Sequence, residues 1–584
     1  MKRIIENERE YIYFMKWRYR TLPESAELCS CLQDLGLSPL IAAGLQARGL
    51  TAPALLERFF RTDLADLVSP ADFGEEMAKA IARLRRAFEA REHIVVLGDY
   101  DVDGTSGTAL IQGVLQRLCG HYGFTSEVML SDRFTEGYGL NDRNIGRLMS
   151  MRPRLVITVD CGVSSGAEIA RLKSAGIDVI ITDHHGLKGD YPAAAVAVVH
   201  PGLSAKAGLP AISGCSVAWQ LMRGLWEHNG KRSPDWLLRD ELDLVALGAV
   251  CDIMPLNDPA NRYFVRHGMK LIEQGRRTAF QVMREAGGWR NVNTYTLGFV
   301  IGPRINAAGR MNRDGGAEPV VEWLLSTDPQ RCAAIARQLE QFNNDRRREQ
   351  DESVQTGLLQ LATAPQPEAY HRLSVVQGNF HEGVVGIVAA KLAEKFYQPA
   401  FVLAATEETE RTGIWRGSAR SIPTVDLFHL MERHQQHLVQ WGGHAMAAGL
   451  SIERDKMLPF FRALDAELAV LPADSWEKVR FVDGHLTESA LDKRFFDSLA
   501  ALEPHGEKFP PFVWEIAGTV TRGRVIDRPG NPKAGQLRVG GREFPFIMWE
   551  NADQLEFEQT RTFFGAWEYN EYQRSMQFRA MGVQ

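Results

Sequence analysis

Cysteine is scarce and unpatterned in this chain. Its 584 residues hold seven cysteines, an odd number, and no C-x-x-C pair. That argues against a disulfide framework or a zinc ribbon and for a reducing compartment. Cys29 and Cys31 form a lone C-x-C pair, which reads as packing rather than metal ligation. No apolar run approaches the roughly 20 residues that cross a bilayer. The first twenty residues carry charges every few positions, so no secretory leader is expected and a cytoplasmic protein is. A basic excess is missing too, the net charge being −6. Nucleic-acid binders are often basic because phosphate contacts release counterions. Any such contact here must therefore come from a local positive surface. Internal repeats and low-complexity tracts are absent. What remains is ordinary: 45% hydrophobic and 24% charged residues, in a chain long enough for three or four domains.

The informative stretch is His93-Ile-Val-Val-Leu-Gly-Asp-Tyr-Asp-Val-Asp-Gly104. A short apolar run reads as a buried strand, and it ends in Asp99, Asp101 and Asp103 followed by a turn-permitting glycine. Like charges this close raise one another's pKa values unless a cation neutralises them. Oxygen ligands in this pattern suit a hard divalent metal. The alternative reading is a solvated acidic turn. Two further strand ends repeat the design: Leu155 to Val159 leads to Asp160, and Asp178 to Thr182 leads to Asp183, His184 and His185. The amphipathic stretch Ser164 to Ala175 between them predicts a βαβ unit, with both strand ends on one side of a parallel sheet. Asp252 follows another apolar segment, Leu242 to Val250.

These segments, Gly98-Asp-Tyr-Asp-Val-Asp-Gly104, Val159-Asp-Cys-Gly162, Asp183-His-His185 and Ala249-Val-Cys-Asp252-Ile-Met-Pro-Leu256, resemble the DHH phosphoesterase superfamily. More narrowly the chain is similar to the RecJ family of single-stranded-DNA exonucleases. Gly302-Pro-Arg-Ile-Asn-Ala-Ala-Gly-Arg310, His381 to Leu392, Gly417-Ser-Ala-Arg-Ser421 and Gly442-Gly-His-Ala-Met-Ala-Ala-Gly449 extend the likeness in the family's order. The resemblance implies an enzyme that degrades single-stranded DNA from its 5′ end to mononucleotides, in recombination and repair. It implies Asp101, Asp103, Asp160, His184 and Asp252 as ligands of two Mn²⁺ or Mg²⁺ ions, with Asp160 bridging. His185 would face the scissile phosphate, completing the catalytic set. Asp99 and Asp183 would lie just behind, with a direct ligand role left open for Asp99. Arg304, Asn306, Arg310, Ser418, Arg420 and His444 would hold DNA phosphates. Related families place a histidine four residues before the D-x-D pair; Leu97 stands there instead, which leaves one metal site short of a nitrogen. The same resemblance implies a monomer, with a helicase and single-strand-binding protein as partners.

The expected architecture is α/β and multidomain. Residues 1–85 read as helical and peripheral, with leucines such as Leu45 and Leu50 for packing. Residues 86–275 would be the parallel-sheet DHH domain and 276–369 a bridge with one long polar helix from Asp328 to Leu361, ended by Pro365-Gln-Pro367. Residues 370–475 would form the second α/β, DHH-associated domain. Short alternating runs over 476–584 suggest an OB-like β-barrel, in which Trp549, Trp567, Tyr569 and Tyr572 are either stacking platforms or core. The run Arg346 to Arg348 reads equally as a solvated helix face or a DNA contact. Two other functions compete: a DHH-type phosphodiesterase of short oligonucleotides or cyclic dinucleotides, and a non-catalytic replication scaffold. The intact acids and histidines speak against the scaffold.

Overall fold

In the computed structural model the acidic strand ends share one parallel sheet. The structure describes all residues except 1–15, 21–24, 62, 65–66, 134–135, 137, 205, 207, 290, 313–314, 364–369, 529–530 and 571–572. Strands β1 (His93–Gly98), β2 (Thr125–Leu130), β3 (Leu155–Val159), β4 (Asp178–Thr182) and β5 (Ala197–Val199) lie in the order β2-β1-β3-β4-β5. Their apolar residues are covered on both faces, which is why the runs are continuous rather than alternating. All pairings are parallel, so the carboxyl ends of β1, β3 and β4 emerge together. Helix α1 (Val102–Tyr122) starts at once, with Asp101 as its N-cap accepting from the Gly104 N–H at 3.0 Å. Helix α2 (Gly166–Ser174) joins β3 to β4, within the predicted 164–175. Buried helices α3 (Gly214–Glu227) and α4 (Leu242–Cys251) pack on α1, and Asp252 is the C-cap of α4. Further along come α5 (Pro259–Gln274), α6 (Gly302–Met311) and the 35-residue α7 (Pro329–Thr363).

Chain contacts divide the molecule into two units, residues 19–339 with 481–584, and residues 1–18 with 340–480. In the first, strands β11 to β15 close a barrel: β11 (Trp514–Val525), β12 (Lys533–Val539), β13 (Arg542–Met548), β14 (Thr560–Asn570) and β15 (Ser575–Val583). The ring closes through β11–β12, β12–β13, β13–β15, β15–β14 and β14–β11. The N-terminal helices are not peripheral to it. Leu28, Leu32, Leu45, Leu56 and Phe59 are buried in the same core as Phe495, Trp514, Phe546 and Phe563. Arg48 seals this junction, with two hydrogen bonds to Asp483 at 2.7 and 3.0 Å and its guanidinium 3.9 Å from the Phe512 ring centroid. An apolar helical stripe announces a buried face but not what covers it, and here the cover is the barrel. Trp567 is 8% exposed and packs on Phe496, Phe544 and Phe578, so it is core and not a platform. Trp549 and Tyr569 are exposed, and Tyr572 lies outside the described residues.

The other unit holds a five-stranded mixed sheet of β6 (Ser374–Gly378), β7 (Ala400–Ala404), β8 (Ile414–Arg420), β9 (Gln440–His444) and β10 (Ala447–Glu453), in the order β9-β10-β8-β7-β6. Phe401, Leu403, Phe460, Phe461 and Leu464 form one side of its core. Along α7, Cys332, Ile335 and Leu339 are buried and most of the rest is polar. Arg346 hydrogen-bonds Asn343 and Gln350, and Arg348 pairs with Asp345, so two of the three arginines lace their own helix. The Pro365–Pro367 break lies outside the described residues.

Candidate metal centre

Three groups of side chains, each with ligand atoms within 4.8 Å of one another, meet at the strand ends: Asp99, Asp101 and Asp160; Asp160, His184 and His185; and Asp103, His184 and Asp252. Asp160 belongs to two of them and so does His184. The His184 Nε2 lies 3.1 Å from Asp160 Oδ1, 3.2 Å from Asp252 Oδ2 and 3.9 Å from Asp103 Oδ2. Asp160 is placed by a left-handed backbone, φ 62°, at the end of β3, a conformation that Asp adopts more readily than most side chains. Asp99, assigned to a supporting place by the sequence, offers an oxygen to the same set as Asp101.

The neighbours fix this arrangement. Asp103 accepts hydrogen bonds from the N–H groups of Gly214 and Cys215, at 2.5 and 3.1 Å, at the start of α3. A helix N-terminus favours a carboxylate there. Asp183 accepts from the N–H groups of Val163, His184 and His185 and lies 2.9 Å from His185 Nδ1, which orients that ring. The Tyr138 hydroxyl donates to the Asp160 carbonyl at 3.0 Å and lies 2.9 Å from His185 Nδ1. Two glycines make the packing possible. A Cβ on Gly248 would stand 2.1 Å from Asp103 Oδ1, and one on Gly214 would stand 2.6 Å from Asp160 Oδ1. Tyr138, Gly214 and Gly248 were not foreseen, because each matters only through the remote carboxylate or histidine it approaches.

Electrostatically the centre calls for cations. Burial and then neighbouring carboxylates push Asp99 and Asp160 well above the usual range, Asp103 to about 6 and Asp252 to about 8. Burial and the neighbouring His185 lower His184 to about 4, keeping its imidazole neutral. Burial opposes charge on His185, but the hydrogen bond and charge of Asp183 outweigh it and raise His185 to about 9. Three buried atoms here, Asp99 Oδ1, Asp160 Oδ1 and His184 Nε2, lack a hydrogen-bond partner. Orphaned oxygens with one neutral imidazole suit Mn²⁺ or Mg²⁺, the nitrogen favouring Mn²⁺.

A pH effect follows. In the metal-free protein Asp252 and His185 hold protons to about 8 and about 9. Unfolded Asp and His release theirs near ~3.9 and ~6.5. Between pH 6.5 and 8 the native state binds more protons, so its stability falls as pH rises. A metal held by Asp252 would require its carboxylate deprotonated and would cancel that share. Melting temperature in EDTA should therefore fall more steeply across this window than in Mn²⁺. Parallel slopes would contradict the assignment of Asp252 as a ligand.

The remaining sequence candidates divide between the two units. Arg304, Asn306 and Arg310 lie on α6, in the unit of the metal centre. Gly309 of α6 packs against Tyr100, where a Cβ would stand 3.1 Å from the carbonyl oxygen, and the charge of Arg310 is felt by the Tyr100 hydroxyl. Arg304 donates to the Val300 carbonyl at 2.6 Å. Arg133, not foreseen, places its guanidinium 5.2 Å from the Tyr100 ring centroid. Ser418, Arg420 and His444 belong to the other unit, where Arg420 donates to Ser418 Oγ at 3.0 Å on β8 and His444 ends β9 exposed. A further feature escaped the sequence reading. Tyr295 and Phe299, 64% and 66% exposed, stack with ring centroids 5.1 Å apart on the helical turn before α6. That turn packs on the end of α4, since the Cys251 thiol lies 3.5 Å from the Leu297 carbonyl. Ile253, the residue after Asp252, is 64% exposed at φ 56°, a strained conformation for a β-branched side chain.

Known proteins share this sequence and fold. Residues 93–249 match the DHH family N-terminal domain, 369–469 the DHHA1 domain and 482–581 the RecJ OB domain. The chain is 33% identical to the single-stranded-DNA-specific exonuclease RecJ of Haemophilus influenzae, over 74% of this chain and 76% of that protein. It is 31% identical to the Escherichia coli protein of the same name, over 84% and 85%. Against the Bacillus subtilis relative, also 31% identical, the match covers 84% of this chain but 61% of the relative's length. The crystal structure of RecJ from Thermus thermophilus in complex with Mn²⁺ is similar with a TM-score of 0.79 at 26% identity, over 98% of this chain and 79% of that one. The complex of the same protein with Mg²⁺ gives 0.74 at 25% identity, over 98% and 78%.

Proposed function

The chain belongs to the RecJ family of single-stranded-DNA-specific exonucleases, and from that premise we propose that it is a metal-dependent exonuclease that hydrolyses single-stranded DNA from the 5′ end to mononucleotides. The observation that carries this reading is the convergence of Asp101, Asp103, Asp160, His184 and Asp252, from four separate segments, on three overlapping ligand groups linked through Asp160 and His184. Asp99 adds an oxygen to one set. Mn²⁺ or Mg²⁺ bound there supplies an activated water at neutral pH and neutralises charge at phosphorus. The protein's own groups do the rest. Asp183 and Tyr138 hold His185 by Nδ1, which leaves Nε2 to donate to a non-bridging phosphate oxygen. Asp103 is fixed by two backbone N–H groups, so its oxygens need not reorganise during reaction. Arg304, Asn306, Arg310, Ser418, Arg420 and His444 are assigned to strand phosphates. The setting is recombination and repair in the cytoplasm, by a monomer working with a helicase and single-strand-binding protein. Among the described residues no helix is long and apolar enough to cross a membrane.

The test is a panel of 5′- and 3′-labelled single strands, duplex and RNA with Mn²⁺ or Mg²⁺. Mononucleotide release from the 5′ end of single strands is expected; release confined to two- or three-nucleotide substrates would overturn the reading in favour of an oligonucleotide phosphodiesterase.

The exposed Tyr295–Phe299 stack, on the turn that packs on the end of α4, suits unpaired bases, since base–aromatic stacking contributes about 1–3 kcal/mol per base. Phe299→Ala should raise KM for single strands roughly tenfold and leave kcat nearly unchanged. An unaltered KM would remove the pair from the substrate path.

A further inference from the structure

Away from the metal centre, α5 directs Arg262, Arg266, His267 and Lys270 into one cavity of about 210 Å³, whose other walls are Phe59, Pro259 and Tyr263. The spacing of Arg262, Arg266 and Lys270 puts all three on one helix face. Arg262 is buried. It donates to the carbonyls of Ala501, Glu503 and Pro504 at 2.8, 2.6 and 3.0 Å, lies 4.0 Å from the Phe59 ring centroid, and keeps Nε unpartnered. Its contacts are carbonyls and the rings of Phe59 and Phe509, none of them a carboxylate salt bridge. Arg266 is half-buried, and no hydrogen bond or ion pair engages it among the described residues. Burial alone lowers its guanidinium, and burial first and then the charge of Arg266 lower that of Arg262. The acids in reach are few. Asp63 acts on His267 and Tyr263, Glu503 acts on Arg262, and Asp258 is committed to the amides of Ala260 and Asn261.

Uncompensated guanidinium groups held out of water are costly unless an anion joins them. This cavity is thus the inverse of the acidic centre. Phe59 and Tyr263 are themselves buried, so the opening presents charge rather than a slot for an apolar side chain. That favours a phosphate over an acidic peptide anchored by an apolar residue. We propose that the Arg262–Arg266–Lys270 cavity binds a backbone phosphate of a nucleic-acid strand, as an anchor separate from the metal centre. The proposal rests on the exonuclease reading. With a net charge of −6, the protein has no general basic coat, and a strand can be held only where cations are gathered.

The test uses the full-length protein and the double variant Arg266→Gln with Lys270→Gln, with Arg262 left in place because it braces the fold. Binding of 5-mer and 30-mer single strands is measured by anisotropy in EDTA across a salt series. Circular dichroism checks folding, and Arg266→Lys serves as the conservative variant. Expected is at least about a tenfold loss of 30-mer affinity, a salt slope shallower by roughly 0.7 per lost contact, partial rescue by Arg266→Lys and unchanged trimer cleavage. Inorganic phosphate at millimolar concentration should raise the melting temperature of the wild type more than that of the variant, whereas competition by an acidic peptide alone would overturn the assignment. An unchanged 30-mer slope also overturns it, as does an equal loss in 5-mer binding and trimer turnover. A wild type that ignores single strands would instead defeat the exonuclease reading.

Discussion

Asp160→Ala should fold normally and release nucleotide at least roughly 10³-fold more slowly than the wild type. The carboxylate joins two of the three ligand groups, so its loss takes an oxygen from both at once. The effect on stability should run the other way. In metal-free protein Asp160 is buried and repelled by Asp103, Asp101, Asp252 and Asp183. Removing it relieves that repulsion, and the melting temperature in EDTA should stay level or rise. The increase produced by Mn²⁺ should shrink sharply. Loss of activity together with a low melting temperature would instead mark Asp160 as structural, and full turnover would remove it from the chemistry.

Gly248→Ala should be nearly as damaging, although it removes no functional group. The added methyl would stand 2.1 Å from Asp103 Oδ1 and 2.9 Å from Cys215 Cβ, so the carboxylate or α4 must move. Overpacking of this kind costs about 1–3 kcal/mol. Displacing Asp103 by about an ångström should cost roughly 100-fold in kcat. The control is Gly120→Ala on α1, where a Cβ meets nothing within 4 Å and alanine should change neither activity nor, except favourably, stability. Near-wild-type kinetics for Gly248→Ala would show that Asp103 need not hold its position.

The strand ends were readable because their physics is local. A buried parallel strand must be a continuous apolar run, and acids at its carboxyl end have one obvious use. Asp101, Asp103, Asp160, His184 and Asp252 could therefore be picked out in sequence, and they lie together in space. What could not be read depends on partners remote in the chain. Gly214 and Gly248 matter only because of the carboxylates they approach, and Tyr138 because it reaches Asp160 and His185. The N-terminal helices showed apolar stripes but not the barrel that covers them, so a chain cut before residue 476 would expose a core rather than shed a module. Alternation in β14 could not say which side was inside, and Trp567 faces inward. Tyr295 and Phe299 were invisible for the opposite reason: aromatic residues at helical spacing ordinarily mean core, and only their exposure says otherwise.

The most direct measurement is anomalous diffraction at the manganese edge from crystals grown with Mn²⁺. The account predicts two peaks roughly 3.5–4 Å apart, with an Asp160 oxygen between them and His184 on one of the pair. Active enzyme whose manganese binds elsewhere, or only once at this cluster, would contradict it.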